Sequence, residues 1–471
     1  MLRFITSFAI TLGLVSTYPV NASAEDLAVK TVLIVQERDS DAAPYAIVEI
    51  SWKNGWNSSR NHDAAWVFAK GVQDGGGFSH IPIGQVSVIP GDTSSPGMVR
   101  MAGDQTGFWL IPPSGFNGDV RTRVRVDFDN NSTDTFRGTI TFYGVEMVYI
   151  PGGAFYAGEP SPKAVSFGSF YTSDNDGNPR DYYRIVDESE INVGSQAGNL
   201  SYAQGEYTGD ATGSLPRAFP KGSTGFYIMK YEMTQGQYAA MLNTLPDEGT
   251  YNRVSFMGRS YYSNRGSIRL QSGSYETTSP DRPMNYATWD DQLAFADWAA
   301  LRPMTELEFE KASRGPEKPI EGAFPWGTAD RLEIARIVTQ DGDTVTLGEV
   351  DEANRSDETR ARYGASYYWV MDLAGSVWER VITIGSEDGR TFAGSHGDGN
   401  TSYRGDADNA DWPHTYSGKE GHGYRGGGFY GDGVLAHEFN PYSPVSFRRY
   451  GGWSGADPHR AYGFRAVRTA E

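Results

Sequence analysis

This sequence offers no thiol and only seven imidazoles for redox or metal chemistry. The chain has 471 residues and no cysteine, which excludes disulfides, thiolate nucleophiles and Cys-ligated metals. An iron site would need converging imidazole and carboxylate groups, such as two His and one acid. His396-Gly-Asp398 is the only His-x-acid pair among the seven histidines, and it lies in a Gly-rich stretch. The pair indicates a metal site only if a third ligand joins it.

Composition and charge limit the partners of this chain. Hydrophobic residues make up 38% and charged residues 21%, values that are typical of globular proteins. The formal net charge of −18 predicts a surface that repels nucleic acid and is compatible with bound cations. The length allows two or three domains.

The first 24 residues have the pattern of an export signal. Arg3 supplies a positive start, residues 4–15 are apolar, and Ala22-Ser-Ala24 offers a small-x-small cleavage site. A buried N-terminal strand is the alternative. No other stretch approaches the ~18 apolar residues that a membrane span needs. We therefore expect an exported chain, periplasmic, cell-surface or secreted, with no membrane span after cleavage.

Residues 25–144 have the signals of an all-β segment. Runs rich in Val, Ile and aromatic residues occur at 29–36, 45–52, 65–70, 107–111 and 122–128, with turn residues between them. Regularly spaced short strands of this kind predict a β-sandwich-like domain. Trp52, Trp56 and Trp66 are predicted core anchors, with a carbohydrate-facing platform as the alternative.

The remaining residues, 145–471, mix strands, long loops and three predicted helices. Residues 146–155 are predicted to form a strand that runs into a Gly-Gly turn, and the polar stretch 160–222 is predicted to be a functional loop or an inserted hairpin. Helices are predicted over 235–242, capped by Thr234, and up to residue 300, capped by Thr288 or Asp290. Thr305 and Glu308 form a capping box for a helix that runs to residue 313 and stops at Gly315.

Eight segments in this region resemble, in order, the formylglycine-generating enzyme (sulfatase-modifying factor) family. They are Met147-Val-Tyr-Ile-Pro-Gly-Gly-Ala-Phe155, residues 226–238, 282–292 and 302–315, Phe324-Pro-Trp-Gly327, Met371-Asp-Leu-Ala-Gly-Ser-Val-Trp-Glu379, Tyr424-Arg-Gly-Gly-Gly-Phe429 and Tyr462-Gly-Phe-Arg465. The resemblance implies an α+β, C-type-lectin-like fold with much irregular structure over 145–471, preceded by the sandwich-like domain.

The resemblance does not extend to the chemistry for which the family is known. Its enzymes oxidise a substrate cysteine with copper and two cysteines of their own, which follow the Arg-Gly-Gly segment. Here residues 428–440 contain no thiol, so we expect neither copper nor formylglycine generation. Other relatives on this fold are nonheme-iron sulfoxide synthases, whose iron histidines lie on an extra helical domain that residues 25–144 do not resemble.

Calcium is the cofactor that the resemblance implies. The family segment similar to residues 371–379 wraps Ca²⁺. Carried over to this chain, Asp372 and Glu379 would provide carboxylate oxygens, and Gly375 and Val377 would provide backbone carbonyls, all hard ligands that suit Ca²⁺. The alternative is that the two carboxylates only cap the loop through hydrogen bonds.

Aromatic and polar residues between the last two family segments are the predicted ligand-binding residues. They are Tyr430, His437, Asn440, Tyr442, Tyr450 and Trp453. In C-type-lectin-like folds ligands dock on this loop face, and aromatic and Asn side chains give adaptable contacts at low entropic cost. Ordinary loop packing is the alternative.

Two functions follow from these observations. The first is an exported, non-catalytic binding protein, a pseudoenzyme that recognises a protein or glycan ligand. The second is a metal-dependent oxidoreductase of the wider family with a cysteine-free iron site. A structural surface or assembly component is a third hypothesis, and the sequence does not specify an oligomeric state.

Overall fold

The computed structural model describes residues 27–35, 44–73, 77–91, 97–128, 138–330, 336–338, 344–346, 356–418, 420–428, 443–455 and 457–471. The predicted export signal, residues 1–24, lies outside these ranges. The strands in these ranges are β1 (Ala28–Val35), β2 (Tyr45–Trp56), β3 (Asp63–Gln73), β4 (Phe78–His80), β5 (Ile83–Val88), β6 (Met98–Met101), β7 (Phe108–Ile111), β8 (Asn117–Phe128), β9 (Gly138–Ile150), β10 (Phe155–Ala157), β11 (Tyr171–Ser173), β12 (Pro179–Asp181), β13 (Tyr183–Ile185), β14 (Ile191–Val193), β15 (Leu200–Ser201), β16 (Gly213–Leu215), β17 (Phe226–Met229), β18 (Ile268–Gln271), β19 (Ser274–Thr277), β20 (Arg302–Pro303), β21 (Arg336–Val338), β22 (Thr344–Thr346), β23 (Trp378–Ile382), β24 (His422–Arg425), β25 (Tyr462–Phe464) and β26 (Ala466–Thr469).

The helices are fewer and short. Over the same ranges they are α1 (Pro162–Ser166), α2 (Gln235–Leu242), α3 (Asp247–Arg253), α4 (Arg259–Ser263), α5 (Trp289–Trp298), α6 (Glu306–Arg314) and α7 (Glu387–Arg390). The mixture of many strands with few helices confirms the predicted α+β class. None of the helices in the described chain has the length and apolar character needed to cross a membrane.

The N-terminal part contains two packed sheets, as predicted. A four-stranded antiparallel sheet has the order β1-β2-β8-β5. Its inner face packs on one face of β3 and β7 around a core that contains Trp52 and Val67. Because successive side chains of a strand point to opposite faces, Trp66 contributes to a second core on the other side of β3. Trp52 and Trp66 are both buried, as expected of core anchors.

The larger sheet runs across the boundary that the sequence predicts between residues 144 and 145. Its strand order is β20-β26-β17-β9-β3-β7-β6, with β4 paired to β3. Both boundary residues lie inside β9, which pairs with β3 on one side and β17 on the other. Strands from both predicted segments therefore share one hydrogen-bonded sheet.

The three predicted helices form, and each begins with a capping box. Thr234, Thr288 and Thr305 accept the third amide of α2, α5 and α6, and the side chain at that third position accepts the cap amide in return. Helix α6 ends at Gly315, whose φ of 74° is a conformation that favours glycine.

The polar stretch 160–222 is a small sheet instead of a long loop or a single hairpin. Its strand order is β12-β11-β15-β14-β16, and β13 pairs separately with β10. Its strands have two or three residues each, too short to give a clear alternating pattern in the sequence.

A three-stranded sheet joins three of the family segments. Strand β23 lies between β24 and β25, antiparallel to the first and parallel to the second. The register places Glu379 opposite Arg425 on one side and Gly463 on the other. This sheet positions the residues of the candidate site.

Candidate functional site

The loop over residues 371–379 is tightly wound. Asp372, Gly375 and Ser376 have φ values of 58°, 88° and 54°, so three of its residues are left-handed. The amide of Gly375 donates to the carbonyl of Gly426 over 3.0 Å, which ties the loop to the end of β24. Strand β23 then begins at Trp378. The turns bring Asp372 back towards Glu379.

Arg465 holds the carboxylate of Glu379. The guanidinium Nη2 donates to Oε1 over 2.7 Å, and Nε donates to both carboxylate oxygens over 3.1 Å. Both side chains are buried. Burial raises the pKa of the Glu379 carboxyl, and Asp372 adds to the rise, whereas Arg465 opposes it.

A third carboxylate, Glu232, faces the same place. It lies just after β17, is 1% exposed, and its Oε2 is 4.0 Å from Nη2 of Arg465. Within the described ranges no other residue, Arg465 included, donates a hydrogen bond to either of its oxygens. Burial, with Asp372 second, raises the pKa of Glu232 to about 8. Glu232 is not among the predicted site residues, although an acid in the mostly apolar segment 226–233 was a usable signal.

The residues present suit a calcium ion. Ca²⁺ prefers carboxylate and carbonyl oxygens from a tight loop, and its charge would offset carboxylates that one guanidinium does not balance. A carboxylate has about four lone-pair positions, so Glu379 can pair with Arg465 and still ligate a cation. Asp372 and Glu379 would hold the ion together with the carbonyls of Gly375 and Val377, and this ligand set stays a prediction.

A group of aromatic rings lies beside this loop. We call Tyr207, Trp378, Tyr424, Phe447, Tyr450, Trp453 and Tyr462 the aromatic cluster. Tyr450 is only 3% exposed and meets Trp378 edge-on at 5.7 Å, whereas Trp453 and Tyr207 are partly exposed and 6.0 Å apart.

The cluster also has polar anchors. The hydroxyl of Tyr424 donates to the carbonyl of Gly455 over 2.5 Å and accepts from Nε of Arg380 over 2.8 Å. These bonds fix the ring beneath Trp453, 5.3 Å away. The other predicted ligand-binding residues, Tyr430, His437, Asn440 and Tyr442, lie outside the described residues.

The structure does not bring the side chains of His396 and Asp398 together. Nε2 of His396 accepts from the amide of Thr469 over 3.0 Å, whereas Asp398 accepts from the amide of Asn400 over 2.7 Å. The two side chains thus face different partners.

His396 instead faces two other acids. Within the described ranges, Asp104, His396 and Glu471 form the one group of three His or acidic side chains whose ligand atoms all lie within 4.8 Å of one another. Arg468 is already within 2.5 Å of Asp104 and 3.7 Å of Glu471. The two carboxylates therefore have a cation in place.

Known proteins resemble parts of this chain. One segment of 119 residues is 33% identical to hercynine oxygenase of Mycolicibacterium smegmatis and covers 25% of each chain. Another of 113 residues is 30% identical to the formylglycine-generating enzyme of Thermomonospora curvata, over 23% of this chain and 35% of that protein. The chain thus spans about a quarter to a third of the length of these curated relatives. Residues 138–470 match the family described as "Sulfatase-modifying factor enzyme 1-like domain", and the protein belongs to that family.

Proposed function

We propose that this protein is an exported member of the family that binds a protein or glycan ligand and does not generate formylglycine. The absence of any cysteine supports this proposal, because the thiolate chemistry of formylglycine generation is impossible without one. A calcium ion at Asp372 and Glu379 would have a structural role and would stiffen the loop beside the aromatic cluster.

The observation that carries the proposal is the arrangement of Trp453 and Tyr207. Both rings reach the surface while resting on buried rings of the aromatic cluster. Aromatic side chains held in this way lose little entropy on binding and present large apolar faces. Such faces suit sugar rings or the aromatic and aliphatic side chains of a protein.

An array of defined glycans and peptides, probed with the full chain, tests this proposal. For a bound probe we expect Trp453→Ala to weaken affinity at least about tenfold, the order of one aromatic contact. Tyr251→Ala is the matched control, since Tyr251 is 78% exposed and outside the cluster. Unchanged affinity in Trp453→Ala, or equal losses in both variants, would contradict the proposal.

The second candidate is a metal-dependent oxidoreductase with a cysteine-free iron site. The names of the relatives favour it, because both hercynine oxygenase and formylglycine-generating enzyme are enzymes. The group of Asp104, His396 and Glu471 has the ligand types that Fe²⁺ accepts. The fit is incomplete, because Arg468 pairs with Asp104 and a backbone amide uses Nε2 of His396.

Anaerobic loading with Fe²⁺ separates the two candidates. The binding proposal expects no stoichiometric iron and no iron-dependent oxygen uptake with a small thiol as the test substrate. The oxidoreductase candidate expects both, with loss in His396→Ala and retention in His414→Ala, whose ring contacts the carbonyl of Asn409 instead.

A further inference from the structure

Two arginines of the chain already lie over rings of the aromatic cluster. The guanidinium of Arg380 is 5.2 Å from the ring of Tyr424 and 5.4 Å from the ring of Tyr462. The guanidinium of Arg449, an exposed residue, is 5.9 Å from the ring of Tyr450. A cation is attracted to an aromatic face within roughly 6 Å of its centre. A cationic ligand would bring a further positive charge beside these two, so the cluster favours a ligand without positive charge.

Trp453 is a supported ring with a partly exposed surface. The ring of Tyr424 lies 5.3 Å away and is tilted by only 32°. The other neighbouring rings within the described residues stand steeply to the indole, at 74° for Tyr207, 60° for Tyr450 and 84° for Tyr462. Gly455 packs so closely that a Cβ there would come within 2.2 Å of the indole. A large ring fixed in this way suits stacking with a flat apolar face.

A carboxylate is held beside this ring. The hydroxyl of Ser454, the residue next to Trp453, donates to Oε2 of Glu420 over 2.9 Å. The backbone of Glu420 is fixed as well, because its amide donates to Asp388 over 3.0 Å and its carbonyl accepts from Ser386 over 2.8 Å. The residue is nevertheless exposed. A carboxylate has about four lone-pair positions and Ser454 uses one, so Glu420 can accept further hydrogen bonds from a ligand.

We propose that the ligand of the aromatic cluster is a neutral glycan, with one pyranose ring stacked on Trp453 and its hydroxyls donating to the carboxylate of Glu420. This inference rests on the proposed function and selects one of its two ligand classes. A pyranose combines an apolar C–H face with hydroxyl donors at its edge, so it satisfies the indole and the carboxylate together. An apolar protein side chain would cover the carboxylate without donating to it, which is costly, and an anionic ligand would be repelled.

Two arrays probed with the full chain test the inference, one of neutral oligosaccharides and one of peptides that include Lys- and Arg-rich sequences. We expect neutral glycans to bind, with an affinity by calorimetry that changes little as salt is raised, because no charge pair forms. Glu420→Ala should weaken binding of such a glycan about tenfold, the order of one hydrogen bond to a charged group, with little change in the unfolding midpoint. Glu276→Ala is the matched control, since this exposed carboxylate lies on β19, outside the cluster.

Deoxy analogues of the bound glycan make the result decisive. Removing the hydroxyl that bonds to Glu420 should weaken binding to the wild type but should not weaken binding to Glu420→Ala any further, a coupling that a merely structural role would not give. A glycan affinity that is unchanged in Glu420→Ala overturns the inference. Binding of peptides alone, lost in Trp453→Ala, also overturns it while the proposed function stands. If no probe of either kind binds, the proposed function and the inference both fail.

Discussion

Three buried arginines tie irregular segments of this protein together through both charge and carbonyl contacts. Arg302, Arg425 and Arg465 each donate a hydrogen bond to a backbone carbonyl. Each also pairs with a glutamate, at 2.6 Å to Glu308, 2.5 Å to Glu310 and 2.7 Å to Glu379. Breaking such a buried pair leaves a charge without a partner, which makes these positions sensitive to substitution.

Arg465→Lys tests this sensitivity. A lysine cannot reproduce the two-pronged contact with Glu379 or supply five donors, so we expect a loss of about 3 kcal/mol in the free energy of unfolding. Urea denaturation measures the change. Arg121→Lys is the control, because Arg121 is 62% exposed beside Glu49 and should change stability by less than about 1 kcal/mol. Similar losses in both variants would contradict the argument.

The buried imidazole of His80 predicts a pH dependence. Burial, followed by nearby Lys70, lowers the pKa of His80 to about 3. The unfolded chain, with a pKa near 6.5, then binds a proton that the folded chain does not, so stability falls as the pH drops from about 6.5 towards 3.

Between pH 7 and pH 5 this group should account for about 2 kcal/mol of lost stability. Unfolding of the wild type and of His80→Gln at the two pH values measures its share. Asp104 and Arg468 also act on His80 and remain in the variant, so the difference between the proteins isolates the imidazole. An equal pH dependence in both would show that His80 does not carry the effect.

At the level of single elements, the capping boxes show what local sequence can specify. The Thr-x-x-Glu pattern of α6 acts through neighbouring residues only, and for that reason the sequence predicts it correctly. Here the cap has a long-range contact as well, since the Thr305 hydroxyl donates to the carbonyl of Pro220 over 3.0 Å.

Thr305→Ala should therefore lower stability by about 1–2 kcal/mol, at the upper end for a cap, because a buried carbonyl also loses its donor. Thermal unfolding gives the measurement. Thr305→Ser keeps the hydroxyl and should recover most of the loss, and failure to recover it would assign the effect to the methyl group.

At the scale of the whole molecule, the shared sheet predicts that residues 145–471 do not fold alone. Removing residues 25–144 cuts β9 in two and removes β3, whose Trp66 lies in the main core. We expect the fragment to lack a cooperative unfolding transition, while residues 25–471 keep one. Circular dichroism with thermal unfolding compares the two, and a cooperative transition in the fragment would contradict this view.

The sequence predicted local features well and the joining of distant strands poorly. Nearby residues determine where the strands of residues 25–144 and the three helices lie. They also make each family segment recognisable in the sequence. The pairing of β3 with β9 does not depend on nearby residues, although the continuous apolar run 64–69 is typical of a strand buried on both faces. Glu232 was missed for a related reason, because only the fold brings it to a loop about 140 residues later.

The position of β26 has a consequence for when this protein can become compact. Ile228 pairs with Val467, and β26 lies between β20 and β17, so the largest sheet has a gap until residues 466–469 have left the ribosome. Closing so long a loop is slow. For a chain predicted to be exported, this delay would keep the newly made polypeptide unfolded while it passes through a secretion channel.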